Sequence, residues 1–471
     1  MFPKQQKFLV LGLSRSGTAA TEFLLEKGGK VYLYDDVTSA GLEKTIERLE
    51  SLGGLRVKKE ELSKMPEICD VLVLSPGIPI DHPIAISFRR AGKSIVGESE
   101  LAVRYMRCLI VAVTGTNGKT TTVSMIEKIF TDNRQRAEAC GNVGSPMIKR
   151  VDLGSEDIAV AEISSFQLET LNSLCPHVAV VLNITQDHLN RHYNMENYIF
   201  LKKKLLKNST ESEVVVLNYD DPIVKEFSEN TRAKIVWFSL KGKVDGAYLN
   251  DGVLYYKEEK IMEVSDLPLA GEHNVQNALA AISVAKIMGV ESEKIVNSLM
   301  TFKGVKHRIE KVAEIDGITY INDSKATNVD ATLKAVACMK EETVLLLGGK
   351  DKGYDYTALF SALRNLKIAQ AILYGENRLK LLDGAIKTGY RKVTLCDKFS
   401  IAVQLARLTA KSGQTVLLSP ASASFDEFTG YEERGDKFVE LVRSFEEKAK
   451  SGKENFELDD NAFIADEGEV E

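Results

Sequence analysis

Residues 113–121, Val-Thr-Gly-Thr-Asn-Gly-Lys-Thr-Thr, have the composition of a loop that binds phosphate groups. They follow an apolar run typical of a strand and precede a helical stretch, so backbone N–H groups and the positive helix end would face a bound anion. Lys119 would neutralise the terminal phosphates, and the Thr120 hydroxyl could ligate Mg²⁺. Two residues separate Gly115 from Gly118, where the common P-loop has four. The alternative is a glycine-rich turn that only caps a helix.

A carboxylate and an imidazole follow two other apolar runs. Glu162 follows the run 158–161, and in open α/β sheets ligands bind beyond the carboxyl ends of the strands. It could hold a metal that also contacts nucleotide phosphate, or it could stabilise the first turn of a helix. His188 follows the run 178–182. A lone histidine is more often structural, but an oriented neutral imidazole is a good ligand for Mg²⁺ or Mn²⁺.

Three consecutive lysines, Lys202, Lys203 and Lys204, lie in a helical stretch that begins near Asn197. A lysine run is usually a solvated helix face, and spacing alone does not choose a functional lysine among the three.

These residues require a scaffold that brings loops at strand ends together. Apolar strand-like runs alternate with amphipathic helical stretches through most of the chain, which is typical of parallel sheets covered by helices. The strand-like runs form three blocks, at 8–11, 31–34 and 71–74; at 109–113, 158–161, 178–182 and 214–217; and at 343–347, 371–374 and 415–418. Helices are expected at 274–288 and 292–300, with a linker at 301–308.

The predicted fold class is α/β, with three domains that each contain a largely parallel sheet flanked by helices. A chain of 471 residues is too long for one hydrophobic core. We expect a Rossmann-like domain at residues 1–98, a P-loop ATPase-like domain at 99–304 and a second Rossmann-like domain at 305–450. Residues 451–471 are acidic and poor in aliphatic side chains, which predicts a disordered tail.

Composition and charge argue against several classes of protein. The net charge of −6 provides no basic surface for nucleic acid or an anionic membrane, and the apolar runs are too short to span a bilayer. The N-terminus enters a strand-like run without a secretory signal, and the six cysteines lack zinc-ligand spacing. We therefore expect a cytoplasmic protein of enzyme size that binds neither nucleic acid nor a membrane. We also expect a monomer, although composition does not determine the oligomeric state.

Four motifs in this order resemble the Mur ligase family, which shares its core with the folylpolyglutamate synthases. They are Gly115–Thr120, Glu162–Gln167, Asp187-His188, and the helix with Tyr198 and Lys202. The resemblance implies a three-domain, ADP-forming amino-acid ligase that uses ATP and two Mg²⁺ ions, with Mn²⁺ as a substitute. It places on ATP the loop residues Gly115, Thr116, Asn117, Gly118, Lys119, Thr120 and Thr121. It assigns the metal sites to Thr120, Glu162, His188 and a carbamylated Lys202, and catalysis to Lys119, Glu162, His188 and Lys202.

Later segments add nucleotide contacts by the same resemblance. Asn274 would contact the adenine, and Arg308, in the hinge into the third domain, would reach the ATP phosphates. Asp323 would lie at the ribose and Lys325 near the phosphates. Without the family, Asn274 is a helix N-cap, Arg308 a surface charge and Asp323 part of a turn.

The third domain resembles the D-glutamate-adding branch of the family, because Gly348–Gly353 and Ser419–Phe428 match that branch. The Asn-Pro-Arg signature of the diaminopimelate- and lysine-adding branch is absent. The carboxylates of a dicarboxylic amino acid need cations and hydroxyl groups as partners. The resemblance implies that the residues that contact D-glutamate are Thr327, Lys352, Ser424 and Tyr431. At the position of Tyr431, phenylalanine is commoner in the family. The resemblance places on UDP-N-acetylmuramoyl-L-alanine the residues Arg15, Ser16, Asp35, Asp36, Ser75, Asn142, Ser164 and Gln167.

The resemblance therefore implies ligation of these two substrates in peptidoglycan precursor synthesis, and three other interpretations stay open. A folylpolyglutamate synthase should lack the long segment that precedes the phosphate loop. A nicotinamide-dependent dehydrogenase, based on the turn Gly12–Gly17, leaves Gly115–Thr120 unexplained. A non-catalytic nucleotide-binding regulator has no need for Glu162, His188 and Lys202.

Overall fold

The structure is a computed structural model that describes residues 6–36, 40–269, 271–351 and 353–450. Lys352, predicted to contact D-glutamate, and the predicted tail at 451–471 lie outside the described residues. The chain divides into two compact units between Lys303 and Gly304. Three sheets of mostly parallel strands, connected by helices, confirm the predicted α/β class.

The first sheet has five parallel strands in the order β3-β2-β1-β4-β5. The strands are β1 (Lys7–Leu11), β2 (Lys30–Tyr34), β3 (Leu55–Arg56), β4 (Val71–Leu74) and β5 (Ser94–Val96). The helices are α1 (Arg15–Glu26), α2 (Ala40–Ser51), α3 (Met65–Ile68), α4 (Pro83–Arg90) and α5 (Glu98–Val103). β4 is buried along its length, as expected for a parallel strand covered on both faces. The turns after β1, β2 and β4 therefore lie at one edge of this sheet.

The second sheet, in the same unit, has nine strands in the order β14-β13-β12-β11-β10-β9-β6-β8-β7. The strands are β6 (Leu109–Thr114), β7 (Ala137–Gly141), β8 (Ile158–Glu162), β9 (Val178–Val181), β10 (Val214–Asn218), β11 (Lys234–Ser239), β12 (Gly246–Asn250), β13 (Val253–Tyr256) and β14 (Glu259–Glu263). The helices are α6 (Lys119–Asp132), α7 (Ser165–Thr170), α8 (Leu189–His192), α9 (Met195–Lys203), α10 (Pro222–Lys225), α11 (Glu272–Ile287) and α12 (Ser292–Met300). β9, β6 and β8 are adjacent and parallel, so the predicted phosphate loop, carboxylate and histidine leave the same edge.

The third sheet, in the second unit, has six strands in the order β15-β16-β20-β17-β18-β19, with only the edge strand β15 antiparallel. The strands are β15 (Glu310–Ile315), β16 (Ile318–Asn322), β17 (Thr343–Gly348), β18 (Ile368–Tyr374), β19 (Val393–Leu395) and β20 (Thr415–Leu418). The helices are α13 (Val329–Ala337), α14 (Thr357–Leu363), α15 (Arg378–Thr388), α16 (Phe399–Thr409) and α17 (Tyr431–Lys450).

The central strands agree with the sequence prediction within a few residues, and the edges do not. β12, β13 and β14 form an antiparallel extension that was not predicted. β12 and β14 mix polar and apolar residues, but β13 is a continuous apolar run. Short 3₁₀ helices lie at Lys59–Lys64, Met147–Arg150, Lys204–Leu206, Glu226–Asn230 and Val264–Asp266. In the part of the chain that the structure describes, no helix has the length and apolar character needed to cross a bilayer.

Candidate active site

The phosphate loop connects β6 to α6 and turns at two glycines. Gly115 and Gly118 have φ of 149° and 86°, values that residues with a side chain rarely adopt. A Cβ at Gly118 would lie 2.3 Å from Oδ1 of Asn277, so α11 also excludes a larger residue there. Nζ of Lys119 donates to the backbone oxygens of Gly115 and Thr116 at 2.8 and 2.7 Å. The lysine ammonium therefore lies directly over the loop.

A second loop, after β9, holds the phosphate loop in place. The N–H of Asn117 donates to Oδ1 of Asn183 at 2.9 Å, and the Asn183 amide donates back to the Asn117 oxygen at 3.0 Å. The Thr116 hydroxyl donates to the backbone oxygen of Thr185 and lies 3.1 Å from the hydroxyl of Tyr198. Asn183 was not among the predicted site residues, although its place at the end of an apolar run was a signal for it.

Glu162 ends β8 beside the first turn of α6 and is buried. Its carboxylate accepts hydrogen bonds from Oγ1 of Thr120 and Nδ2 of Asn142, both at 2.7 Å. Glu162 does not cap α7, because Ser164 is the N-cap of that helix and accepts from the Gln167 N–H at 3.3 Å. Its bond to Thr120 does tie it to the first turn of α6, so the alternative that it stabilises a helix start is compatible with the structure. Two predicted metal ligands, Thr120 and Glu162, therefore lie together.

The structure separates the three consecutive lysines. Lys202 is buried, and its Nζ donates to Oγ1 of Thr114 at 3.1 Å and to the backbone oxygen of Gly115 at 2.8 Å. Burial, aided by repulsion from Lys119, lowers the pKa of Lys202 well below its usual value. Lys203 extends over an aromatic ring near α10, and Lys204 donates to backbone oxygens of α7. Only Lys202, of the three, lies against the phosphate loop.

His188 lies in the loop between β9 and α8, with a left-handed φ of 54°. Its ring packs against Phe166 at a centroid distance of 4.7 Å, and Nε2 is 3.5 Å from Oδ2 of Asp187. Within the described ranges, no three histidine, cysteine or acidic side chains form a metal-binding group. Mg²⁺ commonly binds through one or two carboxylates and takes its other ligands from water and nucleotide phosphates.

Two aspartates predicted to lie near the uracil follow β2. Oδ2 of Asp35 accepts from the backbone N–H of Leu13 at 2.7 Å, which fixes the turn after β1. Asp36 lies 3.1 Å from Nε2 of His82 and accepts from the hydroxyl of Tyr34 at 3.1 Å. Both carboxylates therefore belong to the edge where β1 and β2 end.

The glycine-rich turn after β1 meets the turn after β4. The hydroxyl of Ser75 donates to the backbone oxygen of Gly12 at 2.7 Å, and a Cβ at Gly12 would lie 2.8 Å from Ser75. Arg15 and Ser16 begin α1, and Nη2 of Arg15 donates to the backbone oxygen of Asn142 at 3.1 Å. Because the Asn142 side chain binds the carboxylate at the end of β8, this residue links the predicted sugar-nucleotide site to the predicted metal site.

Ser164 and Gln167 form a capping box at the start of α7. Oε1 of Gln167 accepts from the Ser164 N–H at 2.9 Å, and its amide donates to Oγ of Ser99 at 3.0 Å. Gln167 is buried. The structure therefore gives this pair a local stabilising role, and their contact with substrate stays a prediction.

Asn274 lies inside α11 and is buried. The helix begins at Glu272, so the alternative that Asn274 is its N-cap is wrong. The neighbouring Asn277 approaches Oδ1 of Asn274 at 3.5 Å and accepts from the hydroxyl of Thr122 at 3.3 Å. These contacts place the start of α11 beside the phosphate loop.

In the second unit, Asp323 follows β16 and is buried. Its carboxyl group accepts from the hydroxyl of Ser419 at 2.8 Å and from the N–H of Ile309 at 3.3 Å. Burial raises the pKa of Asp323 to about 7, although the nearby Arg308 cation opposes this shift. Two residues predicted to contact the nucleotide, Arg308 and Asp323, are therefore neighbours.

Residues predicted to bind D-glutamate and phosphate also meet in this unit. Nζ of Lys325 donates to the hydroxyl of Tyr431 at 3.1 Å and lies 4.8 Å from the centre of its ring. Thr327 lies in the loop after β16, and Ser424 lies buried in the loop after β20. β16 and β20 are adjacent and parallel, so these loops share one edge. Lys352 lies outside the described residues.

Arg434 is the main residue that the sequence prediction missed here. Its guanidinium is buried and donates to the hydroxyl and backbone oxygen of Ser324 at 3.0 and 2.8 Å. It also donates to the backbone oxygens of Ser422 and Ala423 at 3.1 and 3.2 Å. One side chain thus fixes the loops after β16 and β20. In the sequence it is one arginine in a charged helix, and no local pattern distinguishes it.

Comparisons with known proteins cover almost the whole chain. Three family models match, described as the Mur ligase MurD-like N-terminal domain at residues 6–97, the Mur ligase middle domain at 113–285, and the Mur ligase glutamate ligase domain at 307–422. Two curated relatives bear the name UDP-N-acetylmuramoylalanine--D-glutamate ligase. One, from Caldanaerobacter subterraneus subsp. tengcongensis, is 42% identical over 93% of this chain and 98% of its own length. The other, from Clostridioides difficile, is 36% identical over 94% and 99%.

Solved structures share the fold at low identity. UDP-N-acetylmuramate-alanine ligase MurC from Thermotoga maritima has a TM-score of 0.62 and 18% identity, covering 93% of this chain and 100% of that one. MurF ligase from the same organism, in complex with ADP, has a TM-score of 0.58 and 16% identity, covering 95% and 96%. The chain therefore belongs to the Mur ligase family, in the branch of the UDP-N-acetylmuramoylalanine--D-glutamate ligases.

Proposed function

We propose that this chain is an ATP-dependent ligase that joins D-glutamate to UDP-N-acetylmuramoyl-L-alanine in peptidoglycan precursor synthesis in the cytoplasm, acting as a monomer. The observation that carries the proposal is the convergence of Lys119, Glu162 and Lys202 on one phosphate loop. It occurs in a chain that matches D-glutamate ligases along 93% of its length. Residues 1–98 are assigned to the sugar nucleotide, 99–304 to ATP and 305–450 to D-glutamate.

Magnesium fits the residues at the ends of β6 and β8. The Thr120 hydroxyl and the Glu162 carboxylate lie 2.7 Å apart and offer the oxygen ligands that Mg²⁺ prefers. We assign this pair to one ion and His188 to a second, and Mn²⁺ would suit the same donors. Bound at these residues, the ions would offset the negative charge that develops during phosphoryl transfer.

Lys202 is suited to carbamylation because burial favours its neutral amine. In that reaction the amine nitrogen forms a bond to the carbon of CO₂ and one proton is released. The product places an anion beside Lys119, where Nζ of Lys202 already lies against the loop. The modified residue would then be able to orient a metal-bound nucleotide.

The reaction has two steps. The L-alanyl carboxylate oxygen attacks the γ-phosphorus of ATP, the bond to ADP breaks, and an acyl phosphate forms. The D-glutamate amine, after losing a proton from its ammonium form, attacks the acyl carbon, and the bond to phosphate breaks. Lys119 binds the phosphate charge throughout the first step. Arg308, Asp323 and Lys325 are assigned to the nucleotide, and the D-glutamate contacts are Thr327, Lys352, Ser424 and Tyr431.

A coupled assay tests the proposal. The purified protein is incubated with ATP, Mg²⁺, UDP-N-acetylmuramoyl-L-alanine and a panel of D- and L-amino acids, and phosphate release and product mass are measured. We expect ADP and a product only with D-glutamate, and neither with Lys119→Ala, whose folding is checked by circular dichroism. Ligation of a different amino acid would refute the substrate assignment, and activity of Lys119→Ala would refute the role of the loop.

A further inference from the structure

Arg191 lies in α8, a single helical turn between two residues in the left-handed region. His188 before it has φ of 54°, and Tyr193 after it has φ of 68°. Such a short segment has few internal hydrogen bonds and takes its conformation from neighbouring contacts. Arg191 supplies them, because its side chain is only 13% exposed and its guanidinium forms a two-point pair with Glu169 at 3.0 and 2.6 Å.

The same guanidinium also binds the turn after β4, in the first sheet. It donates to the backbone oxygen of Ile78 at 2.8 Å and to that of Gly77 at 3.3 Å. The planar guanidinium has five N–H donors in fixed directions, so it can satisfy a carboxylate and several carbonyls at once, which a lysine cannot. This turn begins at Ser75, which is assigned to the sugar nucleotide.

A shared aromatic ring connects Arg191 to His188. The guanidinium carbon of Arg191 lies 5.2 Å from the centre of the Phe166 ring, and the His188 ring lies 4.7 Å from the same centre. Phe166 belongs to α7, as does Glu169. Arg191 therefore contacts, directly or through one ring, the sugar-nucleotide turn, the helix after Glu162 and the histidine assigned to a metal.

We propose that Arg191 is a positioning residue that couples the sugar-nucleotide turn to His188, so that substrate binding and the metal requirement depend on one side chain. The inference rests on the proposed function for the identity of the two sites. Loss of the guanidinium would release the turn after β4 and His188 together, while the phosphate loop keeps its own contacts through Asn183.

Kinetics of Arg191→Lys and Arg191→Ala test this coupling. We expect the KM for UDP-N-acetylmuramoyl-L-alanine and the Mg²⁺ concentration for half-maximal rate to rise together, by about 10- to 100-fold, while the KM for ATP stays unchanged. Arg104→Lys is the matched control, because Arg104 forms a comparable two-contact pair with Glu100 in the same unit. If Arg191→Lys behaves like this control, or raises all three constants equally, the coupling is refuted.

Hydrogen–deuterium exchange gives a readout that needs no turnover. In substrate-free protein, Arg191→Lys should speed exchange in two separate segments, 77–80 and 185–194, and Arg104→Lys should leave both unchanged. Faster exchange in only one segment, or in neither, overturns the proposal. If wild-type protein ligates nothing, the proposed function fails, and the exchange result still decides whether Arg191 holds the two segments. Arg191→Lys keeps the charge, so it remains informative if the alanine variant does not fold.

Discussion

Oγ1 of Thr120, in the first turn of α6, donates a 2.7 Å hydrogen bond to Oε2 of Glu162, the last residue of β8. Both side chains are buried, so the bond holds the start of α6 against the end of β8. A cation bound by both oxygens would need the hydroxyl proton to turn away from the carboxylate. Metal binding and this hydrogen bond therefore compete for the same two atoms.

Thr120→Val removes the hydroxyl with little change in volume and should raise the Mg²⁺ requirement. We expect the Mg²⁺ concentration for half-maximal rate to increase by about tenfold or more, measured from initial rates at fixed ATP. Thr122→Val is the control, because Thr122 is buried in the same helix and contacts Asn277 instead of Glu162. Equal effects of the two substitutions would show that Thr120 has only a packing role.

Lys202→Ala should abolish most of the activity, and a small carboxylate such as acetate, or added bicarbonate, should restore part of it. The reason is that a diffusible anion can occupy the space that the proposed carbamate on Lys202 would fill. Lys203→Ala should retain activity and show no response to acetate, because Lys203 points toward Phe227. Steady-state rates with and without acetate measure both. If acetate restored the activity of Lys203→Ala instead, the proposed modification would belong to Lys203 and not to Lys202.

The sequence predicted the central strands and the order of the motifs, but not which of these lysines is buried. The apolar runs predicted the central strands because parallel strands are covered on both faces, and the motif order placed Lys119, Thr120 and Glu162 at one sheet edge. Spacing alone did not choose among the three lysines; the family resemblance chose Lys202, and the structure buries that lysine against Thr114. Burial of a polar residue depends on which elements pack over it, and local spacing does not encode that.

Arg434 and Asn183 were missed for different reasons. Arg434 binds backbone atoms of loops that are distant in sequence, so no local pattern marks it. Asn183 directly follows an apolar run and binds the phosphate loop, so its position was a signal that the prediction did not use. The sequence prediction missed β13 although it is a continuous apolar run, and it also missed β12 and β14, which contain polar residues. Contacts between remote segments, unlike strand periodicity, become visible only once the fold is known.

Tyr431→Phe and Tyr431→Ala should separate two contributions of this tyrosine. The phenyl ring retains the contact with the Lys325 ammonium, which lies 4.8 Å from the ring centre, and loses only the hydroxyl hydrogen bond. We expect Tyr431→Phe to be nearly as active as wild type, and Tyr431→Ala to show a raised KM for D-glutamate. Equal KM values for D-glutamate in wild type and both variants would show that Tyr431 does not contribute to amino-acid binding.

Glu98→Gln should stabilise the protein, and more at pH 8 than at pH 5. Burial raises the pKa of Glu98 to about 7, although hydrogen bonds from the Ile148 N–H and the Ser99 hydroxyl oppose the shift. An unfolded glutamate has a pKa of about 4.3, so the folded state holds the proton more tightly. Stability should therefore fall as pH rises from about 4 to about 7 and then level off. The glutamine variant lacks this loss, and unfolding temperatures at the two pH values measure it.

Glu100→Gln is the control, because the pKa of Glu100 is shifted in the opposite direction from that of Glu98. Burial alone would raise the pKa of Glu100, but hydrogen bonds from Ser173, Asn172 and Arg104 outweigh it and the pKa is lowered. Its charged form therefore stabilises the fold above the unfolded pKa, and this contribution is lost only as pH falls through the folded value. Glu100→Gln should destabilise the protein to a similar extent at pH 5 and pH 8. If Glu98→Gln showed the same pattern, its carboxyl group would be charged in the folded protein and burial would not control its protonation.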